Sequence, residues 1–478
     1  MERVRVAPMI TVPIYVPTEE IDQRNGGCGV IFENKLYVWG GNTADVRILK
    51  PVEDSDSSSN SDNDDSDKED INVNLPVPVP VSLPRSNDKN HPFDVLDLTT
   101  NKWFRQSTSG EYPTLGLGSS LSVHHPSRNI ILFSGFKKYF QFDNEVYKVS
   151  PDREWVWEKV EVMPEVKPRE RYLSGVIIHK DRMCVFGGVG RASRKVGNPL
   201  QPQDPGAKYL AYVEDEIERD YGWTSEYLEF DINTSEWEAP LDKDAFRPDP
   251  LGSHAFSKFD SHRAVLFGGN GSALVYSNTC YIFDFDSRKW SGPYKPDDPE
   301  EPWPIATRFS TLTSLVDPEN VWQKMCGQIL QPRMVLLWGK SSKLHISPET
   351  WLLEFNFDNP NPLVWKKLKI GVEPRSWHIA KAVYSNKTTS CELVIFGGNV
   401  YKYPITDMFH RDNVANLTIL HFGLASLEEL CLRVIVSRDE LMNVAEGSYG
   451  SGYNAKLIRA HSRHTNCPLT TDITYLYT

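Results

Sequence analysis

The sequence predicts an all-β chain, a six-bladed β-propeller with a short helical C-terminal tail. Three observations predict it. An apolar run ending in a glycine mark recurs six times, a short β-prone segment precedes each run, and an aromatic strand followed by a tryptophan comes after most of them.

The runs occupy residues 35–41, 129–135, 182–188, 263–269, 333–339 and 392–398. They end in Gly40-Gly41, Ser134-Gly135, Gly187-Gly188, Gly268-Gly269, Trp338-Gly339 and Gly397-Gly398. A run apolar at every position belongs to a strand covered on both faces, as in the interior of stacked sheets. The glycines allow a sharp turn where backbones crowd. The preceding segments are residues 28–32, 121–124, 175–179, 255–258, 311–316 and 379–384. The strands that follow lie at 93–98, 147–149, 227–231, 281–284 and 351–355. They lead to Trp103, Trp157, Trp237, Trp290 and Trp365. Four strands per unit is the count of a propeller blade. The sixth unit supplies only three, ending at 417–422, and the isolated β-rich stretch 11–16 is expected to complete it and leave no open edge.

With these residues in place the chain resembles the kelch repeat over about residues 24–422. The expected organisation is a closing segment at 1–23, a kelch propeller at 24–422, an insert at 43–92 inside the first blade, and a helical tail at 423–478. The insert is acidic and then proline-rich, a composition that buries no core, so disorder is expected there, with serines beside acidic residues as candidate phosphorylation sites.

Charge narrows the partners. The formal charge is −12, and the stretch from Glu53 to Asp70 holds nine acidic residues and one lysine. The rest of the chain is close to neutral, which argues against nucleic acid, since phosphate binding needs a basic stripe. The seven cysteines are widely spaced, with no Cys-x-x-Cys pair for zinc or redox chemistry. No apolar stretch reaches membrane-spanning length and no signal sequence opens the chain, so a soluble cytoplasmic or nuclear protein with no membrane partner is expected.

No enzyme signature appears: no phosphate loop, no His-Glu-x-x-His, no Gly-x-Ser-x-Gly. His124 and His125 are adjacent on a strand and point to opposite faces. The expectation is a non-enzyme with no catalytic residues, metal or cofactor. A propeller instead gathers loops around a central depression that reads a peptide or a partner surface. Candidate pocket residues are Arg24, Arg171, Arg308, Phe309, Arg375, Trp377, His378 and Trp223. Arginines suit a carboxylate through paired hydrogen bonds, and aromatic rings supply flat walls.

Past residue 422 the periodicity becomes helical. Ser426 and Glu429 form a capping box, and Leu427, Leu430, Cys431, Val434 and Ile435 share one face. Ser426, Leu427, Cys431 and Ile435 are spaced as in the elongin-binding box of cullin ubiquitin ligases. In order of parts the whole chain is then similar to the small kelch-domain substrate receptors of cullin-RING ligases. The resemblance implies elongin B and C with a cullin scaffold as partners, and substrate proteins bound through peptide tails, with Trp223 and Trp377 framing the peptide. The sequence departs from those receptors in the pocket. Residues 270–278 contain no arginine where the family holds the terminal carboxylate, Val189 replaces a tyrosine, and Arg308-Phe309 replaces a serine–tryptophan step. Arg308 is therefore expected to take over anion recognition. A kelch scaffold without ligase attachment is the other expectation.

Overall fold

The structure is a computed structural model of the chain. It describes residues 11–16, 21, 24–41, 93–113, 116–137, 141–162, 167–191, 204–214, 217–271, 275–296, 298, 300–321, 323–325, 328–341, 345–384, 390–401, 411–413 and 417–422. These residues form an all-β propeller whose only helices are two single 3-10 turns, Pro151–Arg153 and Pro318–Asn320. The insert at 43–92 and the tail at 423–478 lie outside the described residues, and with the tail lie the expected helix and Ser426, Leu427, Cys431 and Ile435.

Among the described strands, five sheets have four strands each. The first unit runs Cys28–Phe32, Lys35–Trp39, Phe93–Asp97, Lys102–Gln106, all neighbours antiparallel. The third, fourth and fifth repeat that order from Gly175–His179, Ala255–Lys258 and Thr311–Ser314. The sixth runs Ile379–Tyr384, Cys391–Phe396, Leu417–Phe422, and its outer strand is Thr11–Val16, antiparallel to Leu417–Phe422.

The count of separate four-stranded blades is therefore five, not the six expected. In the second unit Ser120–His124, Asn129–Lys137, Gln141–Val149 and Val156–Lys159 pair in blade order, but they belong to a nine-stranded sheet. The reason is length. Asn129–Lys137 and Gln141–Val149 continue past a bulge between Phe133 and Gly135, and Asp143 reaches Arg171 of the third unit. From there pairing continues through Val189–Arg191 to the hairpin of Tyr209–Glu214 and Ile217–Thr224.

The second strand of each unit is covered on both sides. In Lys35–Trp39, Leu36 and Val38 pack with Val394, Phe396 and Leu417 of the sixth unit, whereas Tyr37 and Trp39 pack with Leu121, Leu132 and Trp157 of the second. The outer-strand tryptophans follow one rule, each packing on the aromatic residue that immediately precedes the glycine mark of the preceding unit. Trp103 meets Phe396 at 4.9 Å, Trp157 meets Trp39 at 5.1 Å, Trp237 meets Phe133 at 5.2 Å, Trp290 meets Phe186 at 4.9 Å and Trp365 meets Phe267 at 5.6 Å between ring centroids. Each such ring contributes on the order of 3–5 kcal/mol of packing.

The glycine marks staple the units together. Gly187 and Gly188 have φ of 67° and 102°, a Cβ on Gly187 would lie 2.5 Å from the Leu251 carbonyl oxygen, and Gly188 donates its N–H to that carbonyl at 2.8 Å. Ser134 and Trp338 adopt the same left-handed conformation at the two imperfect marks.

Candidate functional site: the axial mouth

The loop entering each inner strand carries one left-handed residue: Gly26, Gly118, Leu173, Ser253, Phe309 and Trp377. Their backbones close a ring of six hydrogen bonds. Gly118 donates to Gly26, Leu173 to Gly118, Ser253 to Leu173, Phe309 to Ser253, Trp377 to Phe309 and Gly26 to Trp377, at 3.0–3.2 Å. The inner strand of the nine-stranded sheet thus fills the sixth place around the axis. This ring fixes where the neighbouring side chains stand.

Phe309 and Trp377 stack at 4.5 Å and 22°, and the Arg308 guanidinium carbon sits 5.0 Å from the ring centroids of both Phe309 and Tyr276. Cation–π contacts of this kind hold a guanidinium in place without neutralising it. Trp377 packs against Leu117, Phe136 and Phe142 together with Tyr172 and Tyr221. Tyr172 lies 5.4 Å from both Phe136 and Phe142, and Tyr221 stacks on Tyr212 at 5.2 Å. Burial pushes the Tyr172 phenol up to about 12, and the Arg308 charge pulls the other way, so the arginine and the tyrosine share one electrostatic neighbourhood.

Three of the eight candidate pocket residues, Arg308, Phe309 and Trp377, come together here. Trp223 is buried behind them, packed with Val189 and Tyr212, and forms the back of the aromatic wall. Arg171 and Arg375 require a correction: both are fully buried and serve their own units. Arg171 ion-pairs with Glu226 and donates to the carbonyl oxygens of Gly187 at 3.1 Å and Arg169 at 3.0 Å. Arg375 donates to Gly397 at 3.4 Å and Thr418 Oγ1 at 3.5 Å. Arg24, in the same position, pairs with Asp94 and donates to Gly40 at 3.2 Å. Each of the three guanidiniums caps the carbonyl of a glycine mark and is buried. His378 is also buried, its Nε2 2.8 Å from Thr311 Oγ1.

Arg308 differs because it sits one residue later in the loop. Arg24, Arg171 and Arg375 stand two residues before the left-handed position, where the fifth unit has Thr307; Arg308 stands one before it, where the third unit has Tyr172. Tyr172, Tyr221, Tyr212, Tyr276 and Phe142 are members of the site that the sequence reading missed. Aligning the loops on the left-handed residue would have found Tyr172; of the other four, Tyr276 comes from a loop and Phe142, Tyr212 and Tyr221 from strand extensions and a hairpin of the nine-stranded sheet that the repeat does not predict.

Six inner strands around an axis, a glycine mark in each unit and tryptophans on the outer strands define a β-propeller of repeated units. Residues 84–291 match the family model described as the KLHDC2/KLHL20/DRC7 Kelch-repeats domain. The chain is similar to Kelch domain-containing protein 1 of Homo sapiens, 24% identical over 419 residues covering 87% of this chain and 84% of that protein. The Mus musculus protein is 23% identical over 420 residues with the same coverage. Among solved structures, that of YjhT aligns with a TM-score of 0.48 at 12% identity, covering 83% of this chain and 94% of that one. No group of three or more metal-ligating side chains is gathered among the described residues, and none of their helices is long and apolar enough to cross a membrane.

Proposed function

We propose that this propeller is a protein-interaction module that takes the C-terminal tail of a partner protein at its axial mouth, with Arg308 receiving the terminal carboxylate. One observation carries the proposal: a half-buried guanidinium held between Tyr276 and Phe309, beside the Phe309–Trp377 stack. A cation framed by flat apolar walls suits a carboxylate followed by an extended, weakly polar segment.

The ligase part rests on sequence. The spacing of Ser426, Leu427, Cys431 and Ile435 directly after a kelch propeller favours elongin B and C, and through them a cullin, over a free-standing scaffold. The substrate tail at the mouth would then be presented for ubiquitin transfer. Two experiments test the two parts. An array of C-terminal peptides, each as free acid and as amide, is expected to show binding that requires the free acid; equal binding of both forms overturns the carboxylate role. Co-purification of elongin B and C, lost in a Leu427→Ala/Cys431→Ala variant, is expected for the receptor; a full-length chain that never captures them is a scaffold without ligase attachment.

A further inference from the structure

The axial channel below the mouth carries a second polar feature, which the mouth does not explain. Its walls are the six inner strands, and neighbouring strands approach within 8 Å between Cα atoms. The third residue of each inner strand, counted from the mouth, falls at one level: Val30, Ser122, Ile177, Ser257, Thr313 and Lys381. Four of the six are polar, and all four are half-buried. The hydroxyls of Ser122, Ser257 and Thr313 make no hydrogen bond to another described residue, and no described carboxylate pairs with Lys381.

The contrast with Lys258 is direct. That lysine also lies on an inner strand, one residue further from the mouth, and it forms an ion pair with Glu319. Lys381 is placed differently. On the same face of its strand Ile379 fills the space above Gly29 and packs with Leu36, Val394 and Phe396, so the flank beside the four-carbon stem is apolar and the axis is the polar direction open to its amine. Burial lowers the proton affinity of this amine, and the titratable group that acts on it is the Cys28 thiol, whose own value burial pushes up to about 12. The thiol is therefore neutral and offers no countercharge. A cation in a narrow channel with no countercharge is costly, and a mobile anion relieves that cost. With no carboxylate at this level, a metal cation is a poor occupant.

We propose that the channel binds one small oxyanion at this level, with Lys381 as its counter-ion and the hydroxyls of Ser122, Ser257 and Thr313 as hydrogen-bond donors. A tetrahedral oxyanion of the phosphate class fits donors arriving from several sides of a ring, and an acetate-like carboxylate uses the same donors from a smaller set of directions.

Calorimetric titration of the full chain with sodium phosphate at constant ionic strength tests this, with sodium acetate and sodium chloride as parallel titrants. One saturable event per chain is expected with phosphate. It should vanish in Lys381→Met and weaken about fivefold in Ser257→Ala/Thr313→Ala, the loss of two modest hydrogen bonds. Saturation by acetate but not phosphate would assign the site to carboxylates and overturn the phosphate class. No saturable event in the wild type, or unchanged affinity in Lys381→Met, overturns the site altogether. Should Lys381→Met fail to fold, the hydroxyl variant decides, and affinity equal to wild type in that variant refutes the proposal.

Discussion

Replacing Arg171 by methionine separates an arginine that holds the fold from one that meets a ligand. The change keeps most of the aliphatic stem and removes the charge. It leaves Glu226 with only Arg169, 3.8 Å away, and leaves the Gly187 carbonyl with Ser174 Oγ, at 3.2 Å, as its remaining side-chain donor. Breaking a buried pair costs about 3–5 kcal/mol, and Arg169 offsets part of that, so about 3 kcal/mol is expected. Unfolding entropy is about 2.1 cal/mol/K per residue, or about 0.6 kcal/mol/K over the roughly 300 residues the structure describes, so the melting midpoint should fall by about 5 °C. Differential scanning calorimetry at a fixed scan rate reads this directly. Peptide binding, measured per folded molecule below the transition, should be unchanged. A variant with wild-type melting and weakened peptide binding would refute the assignment and return Arg171 to the pocket.

Three further predictions follow from the same geometry. Gly187→Ala places a Cβ 2.5 Å from the Leu251 carbonyl at a φ of 67°, and should destabilise by about 2 kcal/mol or more, read as a lowered urea midpoint. Burial depresses His254 and, with help from the Arg375 charge, His378, each from 6.5 to about 3. Between those values the unfolded chain binds more protons, so stability is full above pH 6.5 and is lost as pH falls toward 3, by about 1.4 kcal/mol per unit for each histidine. His254→Leu should therefore flatten the acid limb of stability against pH, and an unchanged limb would count against a buried neutral imidazole. Deleting residues 1–20 removes Thr11–Val16 and exposes the edge of Leu417–Phe422, so the truncated chain should melt lower and aggregate at concentrations where the full chain stays monodisperse in light scattering.

Much of the ring was legible because each unit repeats its own punctuation. The glycine marks reflect left-handed backbone pressed against the next unit, and the tryptophans reflect packing on the preceding one. Both constraints act on single positions and leave a visible residue type. The merging of the second unit into a nine-stranded sheet was not legible. It arises from strands that continue through the mark at Ser134-Gly135, where local sequence resembles an ordinary turn. In the site, residue type misled: Arg171, Arg308 and Arg375 look alike in sequence, and one step of loop register decides which caps a carbonyl and which stands at the mouth. Aromatic residues outside the repeated strands, such as Tyr276 in a loop and Tyr221 in the inserted hairpin, leave no periodic trace.

The central claim is that Arg308 holds a terminal carboxylate. The direct measurement is the affinity of wild-type and Arg308→Ala chains for one C-terminal peptide, as free acid and as amide. A charge-assisted hydrogen bond is worth about 1.5–3 kcal/mol, so the free acid should lose about tenfold to a hundredfold in the variant, while the amide should bind both chains equally weakly. Equal free-acid affinity for the two chains would contradict the assignment of the mouth.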